Sequence, residues 1–225
     1  MTYRTKTHSM TAAVLALLAG AATSATGQDR VWANPVTANW NVAASWNPMD
    51  IPDTAGENAV MSALGNYTVI LPSGYSTSIG VLSLAHPGVT VSRLDNGLLY
   101  VGSVSNNGLI QIGSAGGSGT AILSRAANTP ISGTGTLRLA ASANGDTGYI
   151  GWWNNAAQGF VQAAGHTTAG SGNIYCPFDN QGVIDADTFN FTLRLLSQNK
   201  VNSGEMRATA GGTLDINGIT VTQAP

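Results

Sequence analysis

A glycine followed by four residues of alternating character recurs along the chain. It opens Gly97 (Leu98-Leu99-Tyr100-Val101), Gly108 (Leu109-Ile110-Gln111-Ile112), Gly135 (Thr136-Leu137-Arg138-Leu139) and Gly159 (Phe160-Val161-Gln162-Ala163). It returns at Gly172 (Asn173-Ile174-Tyr175-Cys176), Gly182 (Val183-Ile184-Asp185-Ala186), Gly204 (Glu205-Met206-Arg207-Ala208) and Gly212 (Thr213-Leu214-Asp215-Ile216). In every unit the second and fourth residues after the glycine are apolar, while the first and third are mixed. A period of two predicts short strands with one buried and one free face, and excludes an amphipathic helix.

Taken as one series, Gly108, Gly135, Gly159, Gly182 and Gly204 are spaced 27, 24, 23 and 22 residues apart, and the other units fall between them. More than one strand per period of that length predicts an all-β solenoid, each coil stacking on the last. A β-sandwich, which also strings short strands between Gly-rich turns, is the alternative. In the solenoid, Ile110, Leu137, Val161, Ile184 and Met206 form one inner column, and Ile112, Leu139, Ala163, Ala186 and Ala208 another. The glycines then sit at corners, where they can take positive φ. Cys176 falls on an inward position and reads as a small buried hydrophobe.

The region before the repeats differs in kind. Trp32, Trp40 and Trp46 precede Asn47-Pro48 and the strand-like Tyr67-Thr68-Val69-Ile70-Leu71. The open end of a solenoid needs a cover. Val31 to about Pro72 reads as that cap, the rival being a carbohydrate-stacking patch of tryptophans. The expected organisation is therefore a leader over 1–27, a cap with first strands over 28–84, and coils over 85–225.

Asn39-Trp40, Ala44-Ser45-Trp46-Asn47-Pro48, Ile51-Pro52-Asp53-Thr54-Ala55-Gly56-Glu57-Asn58-Ala59 and Ile79-Gly80-Val81-Leu82-Ser83-Leu84 resemble the amino-terminal part of exported bacterial β-helix proteins. Those include autotransporter-like passengers and proteins with carboxy-terminal sorting signals. Ile131-Ser132-Gly133-Thr134-Gly135, Gly170-Ser171-Gly172-Asn173-Ile174 and Gly211-Gly212-Thr213-Leu214 are similar to their repeat phrases. The resemblance implies a right-handed parallel β-helix, secreted or displayed on the cell surface, and brings no catalytic residue with it. It departs from the family at Gln223-Ala224-Pro225, where neither translocator barrel, sorting helix nor cap follows. An uncovered last coil would either continue in a longer protein or pair end to end with a second copy.

Charge and composition narrow the function. Arg4 and Lys6, an apolar run from Met10 to Ala22, and small residues at Thr23-Ser24-Ala25 and Ala25-Thr26-Gly27 predict a secretory signal cleaved after Ala25 or Gly27. The run is shorter than the roughly 20 residues of a membrane span. Its removal leaves seven basic residues against eleven acidic ones, a net charge of −4. That excludes phosphate-binding by basic clusters, so no nucleic acid partner is expected, and no transmembrane segment is expected in the mature chain. One cysteine excludes a disulfide scaffold.

Two groups could carry chemistry. Asp179, Asp185 and Asp187 flank the Gly182 corner and could share a Ca²⁺ ion, although a calcium cage wants six or more oxygens and stacking offers Asp185 an ion pair with Arg207 instead. His86 and His166 match no metal spacing. Trp152 and Trp153 are adjacent, so on a strand at most one can point inward, leaving an indole for a sugar ring or a partner surface. The expectation is an exported structural or adhesive module without a catalytic site. The alternative is a glycan-binding or polysaccharide-active module using these residues.

Overall fold

The computed structural model describes residues 27–93, 95–113, 119–140, 148–152 and 155–224. Its regular structure is strand, apart from a single 3-10 turn at Ala43–Ser45. The first strands are β1 (Gln28–Trp32), β2 (Ala38–Asn39), β3 (Trp46–Asn47), β4 (Glu57–Met61), β5 (Tyr67–Leu71), β6 (Thr77–Leu84), β7 (Val89–Arg93), β8 (Gly97–Asn106) and β9 (Leu109–Ile112). Then come β10 (Thr120–Ser124), β11 (Thr129–Ser132), β12 (Thr136–Leu139), β13 (Gly148–Ile150), β14 (Phe160–Gln162), β15 (Thr167–Gly170) and β16 (Gly172–Ile174). The last are β17 (Phe178–Asn180), β18 (Val183–Ala186), β19 (Thr192–Leu195), β20 (Lys200–Asn202), β21 (Glu205–Ala208), β22 (Thr213–Ile216) and β23 (Val221–Gln223).

Pairing is parallel everywhere among these strands except between β1 and β3, which is not the antiparallel arrangement of a sandwich built from hairpins. One sheet runs β2-β5-β7-β9-β12-β15-β18-β21. The other forks at β8: its first half, Gly97 to Val101, pairs with β10, and Val104 and Ser105 pair with β11. From there two ribbons continue, β10-β13-β16-β19-β22 and β11-β14-β17-β20-β23. From β11 onward the chain thus passes through three ribbons in turn, laying each strand parallel on the one three strands earlier. The fork is prepared inside the strands. In β6 and β8 the alternation of buried and part-exposed residues slips by one at Gly80-Val81 and Gly102-Ser103, so both halves of a bent strand face the core. A side chain on Gly102 would meet the Gly80 carbonyl at 2.7 Å, so the bend needs glycine on glycine.

The interior is one continuous cluster running from Trp32 through Leu71, Ile110, Ile150 and Phe178 to Leu195. Trp32, Trp40 and Trp46 are fully buried and meet edge to face, with ring centroids 4.9 Å apart in both pairs. Their indole N–H groups donate to the carbonyls of Val36, Pro52 and Trp40, which satisfies each polar tip within the core. Beside them the buried Arg30 guanidinium donates to Glu57. Burial pushes the Glu57 carboxyl up, but hydrogen bonds from the Asp53 N–H, Arg30 and Thr54 outweigh it and hold the group below its ordinary range.

Two expected details are corrected. The inner column beginning at Ile110 and Leu137 continues through Thr168, not Val161, to Ile184 and Met206. Val161 and Ala163 belong to another ribbon, and there Phe160 and Gln162 are the buried residues while Val161 is part-exposed. The corner glycines, moreover, are not held at positive φ, Gly172 (φ 146°) excepted. Gly97, Gly108, Gly135, Gly159, Gly182, Gly204 and Gly212 all lie outside that region, whereas Asn96, Asn128, Asn190, Ser197 and Ala210 occupy it. What the glycines supply is close approach. Gly108, Gly135, His166, Gly182 and Gly204 occupy one corner position in successive turns of the chain, each except Gly204 accepting a hydrogen bond from the strand laid over it. A Cβ on Gly204 would run into the Gly182 carbonyl, and one on Gly182 into the His166 carbonyl.

Beneath that corner runs a chain of side-chain hydrogen bonds. Asn106 Nδ2 donates to His166 Nε2 (3.1 Å), and His166 Nδ1 donates to Gln162 Oε1 (3.2 Å). Gln162 Nε2 continues to Asn180 Oδ1 (2.8 Å), Asn180 Nδ2 to Asn202 Oδ1 (2.7 Å), and Asn202 Nδ2 to Gln223 Oε1 (3.0 Å). All donors point the same way, which requires a neutral imidazole carrying its proton on Nδ1. In the preceding turn the residue in register with Gln162 is the apolar Ile131, so the row of amides has no member there, and the His166 ring bridges back to Asn106. This ladder explains why Gln162 is buried in place of Val161: its amide has partners only inside.

Two measurements test this account. Gly204→Ala should lower unfolding stability by about 1–3 kcal/mol through the backbone collision, while Gly56→Ala, whose Cβ meets nothing within 4 Å, should be near neutral in the same denaturant titration. Burial lowers the His166 pKa from 6.5 to about 4, so the unfolded chain takes up this proton more readily. Stability should therefore be full above about pH 6.5 and fall as pH drops toward 4, by on the order of 3 kcal/mol. His166→Gln should flatten that part of a stability profile, and an unchanged profile would refute the ladder's dependence on the neutral ring.

Candidate functional site

The outward faces of the ribbons carry the candidate sites, because the inward faces are filled. In the β8-β10-β13-β16 run, Leu98 lies beside Ala121, Tyr149 and Asn173, and Tyr100 beside Leu123. β10 is buried on both faces. β13 ends at Gly151, whose φ is 75°. Its N–H donates to the Ile122 carbonyl (2.9 Å), and the space where a side chain would stand is taken by Cys176. Only glycine can make this turn, and after it the chain leaves the sheet. Trp152 therefore stands outside, 44% exposed.

Trp152 divides two open clefts. One, of about 230 Å³, is lined by Tyr149, Gly151, Trp152 and Tyr175. The other, of about 250 Å³, is lined by Leu98, Tyr100, Leu123, Trp152, Asn155 and Gln158. The Tyr149 and Tyr175 rings lie 5.5 Å apart and tilted by 52°. The Tyr175 hydroxyl accepts from Asn173 Nδ2 (3.2 Å), and burial, reinforced by Tyr149, pushes its phenol pKa up, keeping the O–H as a donor. The Trp152 carbonyl accepts from the Asn155 N–H, and Asn155 Oδ1 accepts from the Ala157 N–H, which shapes the segment on the far side. None of the lining residues is charged. Trp153 lies outside the described residues.

The acidic group does not assemble into a cation site. Asp179 is on β17 and accepts from Gln181 (3.2 Å). Asp185, on β18, accepts from Arg207 Nε and Thr209 Oγ1, both at 2.8 Å, with Arg207 directly beside it in register. Asp187 holds the Arg138 guanidinium through both oxygens. The physical reason is that stacking sets Arg207 beside Asp185 and lets Arg138 reach Asp187 from two turns away, while Asp179 stands on a different ribbon, so the carboxylates are engaged separately rather than gathered around one point. Among the described residues no group of three or more His, Cys, Asp or Glu side chains could hold a metal ion.

Two further reactive groups are internal. Cys176 is fully buried, and burial pushes its thiol up to about 12, so no thiolate nucleophile is available. Lys200 is buried with its ammonium donating to the carbonyls of Leu196 and Gln198, and burial lowers its pKa to about 8. His86, near the surface, contacts the Ser62 carbonyl at 3.0 Å.

No family model, curated protein or solved structure matches this chain.

Sequence reasoning reached Trp152 but not Tyr100, Tyr149, Tyr175, Asn155 or Gln158. The available signal was an aromatic residue at an outward position beside an inward one, as in Tyr149-Ile150 and Ile174-Tyr175. Because the carboxylates are already engaged, adding Ca²⁺ should leave the melting temperature of the protein unchanged. Asp185→Asn should lower it by about 2–4 °C. A calcium-dependent rise in Tm that Asp185→Asn abolishes would restore a cation site.

Proposed function

We propose that the chain is a secreted or cell-surface structural module with an adhesive role: a right-handed parallel β-helix whose first end is capped by the Trp32, Trp40 and Trp46 cluster. The observation that carries this reading is the parallel, in-register stacking of strands turn after turn, tied inside by the Asn106 to Gln223 ladder. Such a stack is a rigid rod with a fixed exterior. Its outer positions vary freely, because only inward residues must match their neighbours along the stack. A rod of this kind displays contacts in register over a long face, which suits attachment more than turnover.

The leader at 1–27 lies, apart from Gly27, outside the described residues, and its charge and apolar run support export. The resemblance to exported bacterial β-helix proteins points the same way. Among the described residues no helix is long and apolar enough to cross a membrane. Catalysis on a polysaccharide would use paired acids at one site, and here Asp179, Asp185 and Asp187 lie on separate partners. The second reading, glycan contact without catalysis, draws on the aromatic clefts around Trp152.

Expression of the full chain in a bacterial host should give a processed protein outside the cytoplasm that begins at Thr26 or Gln28, as read by mass spectrometry of the mature amino terminus. An unprocessed chain retained in the cytoplasm would overturn the proposal.

A further inference from the structure

We propose that the two clefts flanking Trp152 form one binding strip for a neutral polysaccharide, with successive sugar rings lying on either side of the indole. The strip begins at Tyr100 on β8, crosses Leu123 on β10 and Tyr149 on β13, and ends at Tyr175 just after β16. Those four strands are consecutive neighbours, so at the ordinary strand spacing the strip is about 14 Å across. That is room for more than one ring.

The chemistry of the lining selects the ligand. The face of a pyranose is a patch of C–H bonds edged by hydroxyls, so it needs a flat apolar surface with hydrogen-bonding groups at the rim. Trp152, Tyr149, Tyr175 and Tyr100 provide such surfaces. Asn155, Gln158 and the phenolic O–H of Tyr175 provide the rim. No cationic side chain lines either cleft, and Arg194, whose charge acts on Tyr175 from the next strand, is paired with Asp215 at 3.7 Å, so the lining itself offers no partner for the carboxylate of an acidic polymer or the phosphates of a nucleic acid. Both clefts are open along the sheet face, which admits a chain passing through rather than an enclosed small molecule. The Gly151 turn packed on Cys176 fixes where the backbone leaves the sheet and so the side on which Trp152 stands, which lowers the ordering that opposes binding.

The test uses the exported full chain and a panel of cellohexaose, xylohexaose, mannohexaose and laminarihexaose, with polygalacturonate as the acidic probe. Binding is followed by tryptophan emission and by calorimetry. At least one neutral hexasaccharide should bind saturably and shift the emission. Trp152→Ala should weaken it by about tenfold or more, and Trp152→Phe, which keeps an aromatic face, should stay within about threefold. Tyr175→Ala should weaken binding in the same direction. Trp152 is exposed, so its variants should keep the far-ultraviolet spectrum and melting temperature of the parent.

A folded parent that binds none of the neutral hexasaccharides overturns the proposal. So does binding that survives Trp152→Ala, or binding of polygalacturonate in their place. The inference stands apart from the export reading: cytoplasmic retention with intact sugar binding overturns export alone, whereas an exported, folded chain that ignores sugars overturns the strip alone.

Discussion

Everything in this molecule follows from the spacing of parallel strands. A strand lies about 4.8 Å from the next, so each inward residue rests on the residue at the same position one turn earlier and supports the one a turn later. Apolar residues stack without difficulty, as Leu137 on Ile110 and Met206 beside Ile184 show. Polar residues can enter only as a run, since a buried amide without a partner is costly. The Gln162, Asn180, Asn202 and Gln223 amides solve this by serving as one another's partners. Where the corner tightens, a Cβ on Gly108, Gly135, Gly182 or Gly204 would run into the carbonyl of the turn below, and the one side chain in that column, His166, is held by joining its ring to the amide ladder.

The same constraint explains what could be read from the sequence. Alternation was legible because it is local: Ile110 and Ile112, or Leu137 and Leu139, announce an inward face within four residues. Assignment of a unit to a ribbon was not, because the glycine phrase opens strands in all three ribbons and turns differ in length. Thr136 and Thr167 are neighbours in register although 31 residues apart, while Thr167 and Val183 are 16 apart. A near-regular glycine spacing therefore drew Gly159 into a column that belongs to His166. Polarity misled at the same place, since Gln162 looks like a surface residue until its four-residue link to His166 and its step to Asn180 are known.

The site was legible in one residue and hidden in the rest for a related reason. Trp152 is conspicuous because two adjacent tryptophans cannot both face inward. Tyr100, Tyr149 and Tyr175 come from three different turns, and their meeting depends on the register that local pattern leaves open. The Gly151 turn is hidden too, for its requirement comes from Cys176, which comes to it from the next strand of the same ribbon.

Interior and exterior are coupled at that point and largely independent elsewhere. Outward residues in the β12-β15-β18-β21 ribbon settle into charge pairs across turns, Arg138 with Asp187 and Arg207 with the largely buried Asp185, and because the arginine of each pair stays open to solvent the contribution to stability is small. Their exchange for other polar residues would leave the core as it is. At Gly151 the opposite holds. A buried cysteine, a positive-φ glycine and an exposed indole are linked through consecutive contacts, so the position of the aromatic platform is set by core packing. A binding surface built in this way gains rigidity from the part of the molecule that tolerates the least change, while its rim at Asn155 and Gln158 lies on a segment outside the strands. Affinity and selectivity are thus assigned to different structural layers, the flat aromatic floor to the stack and the hydrogen-bonding edge to the loop.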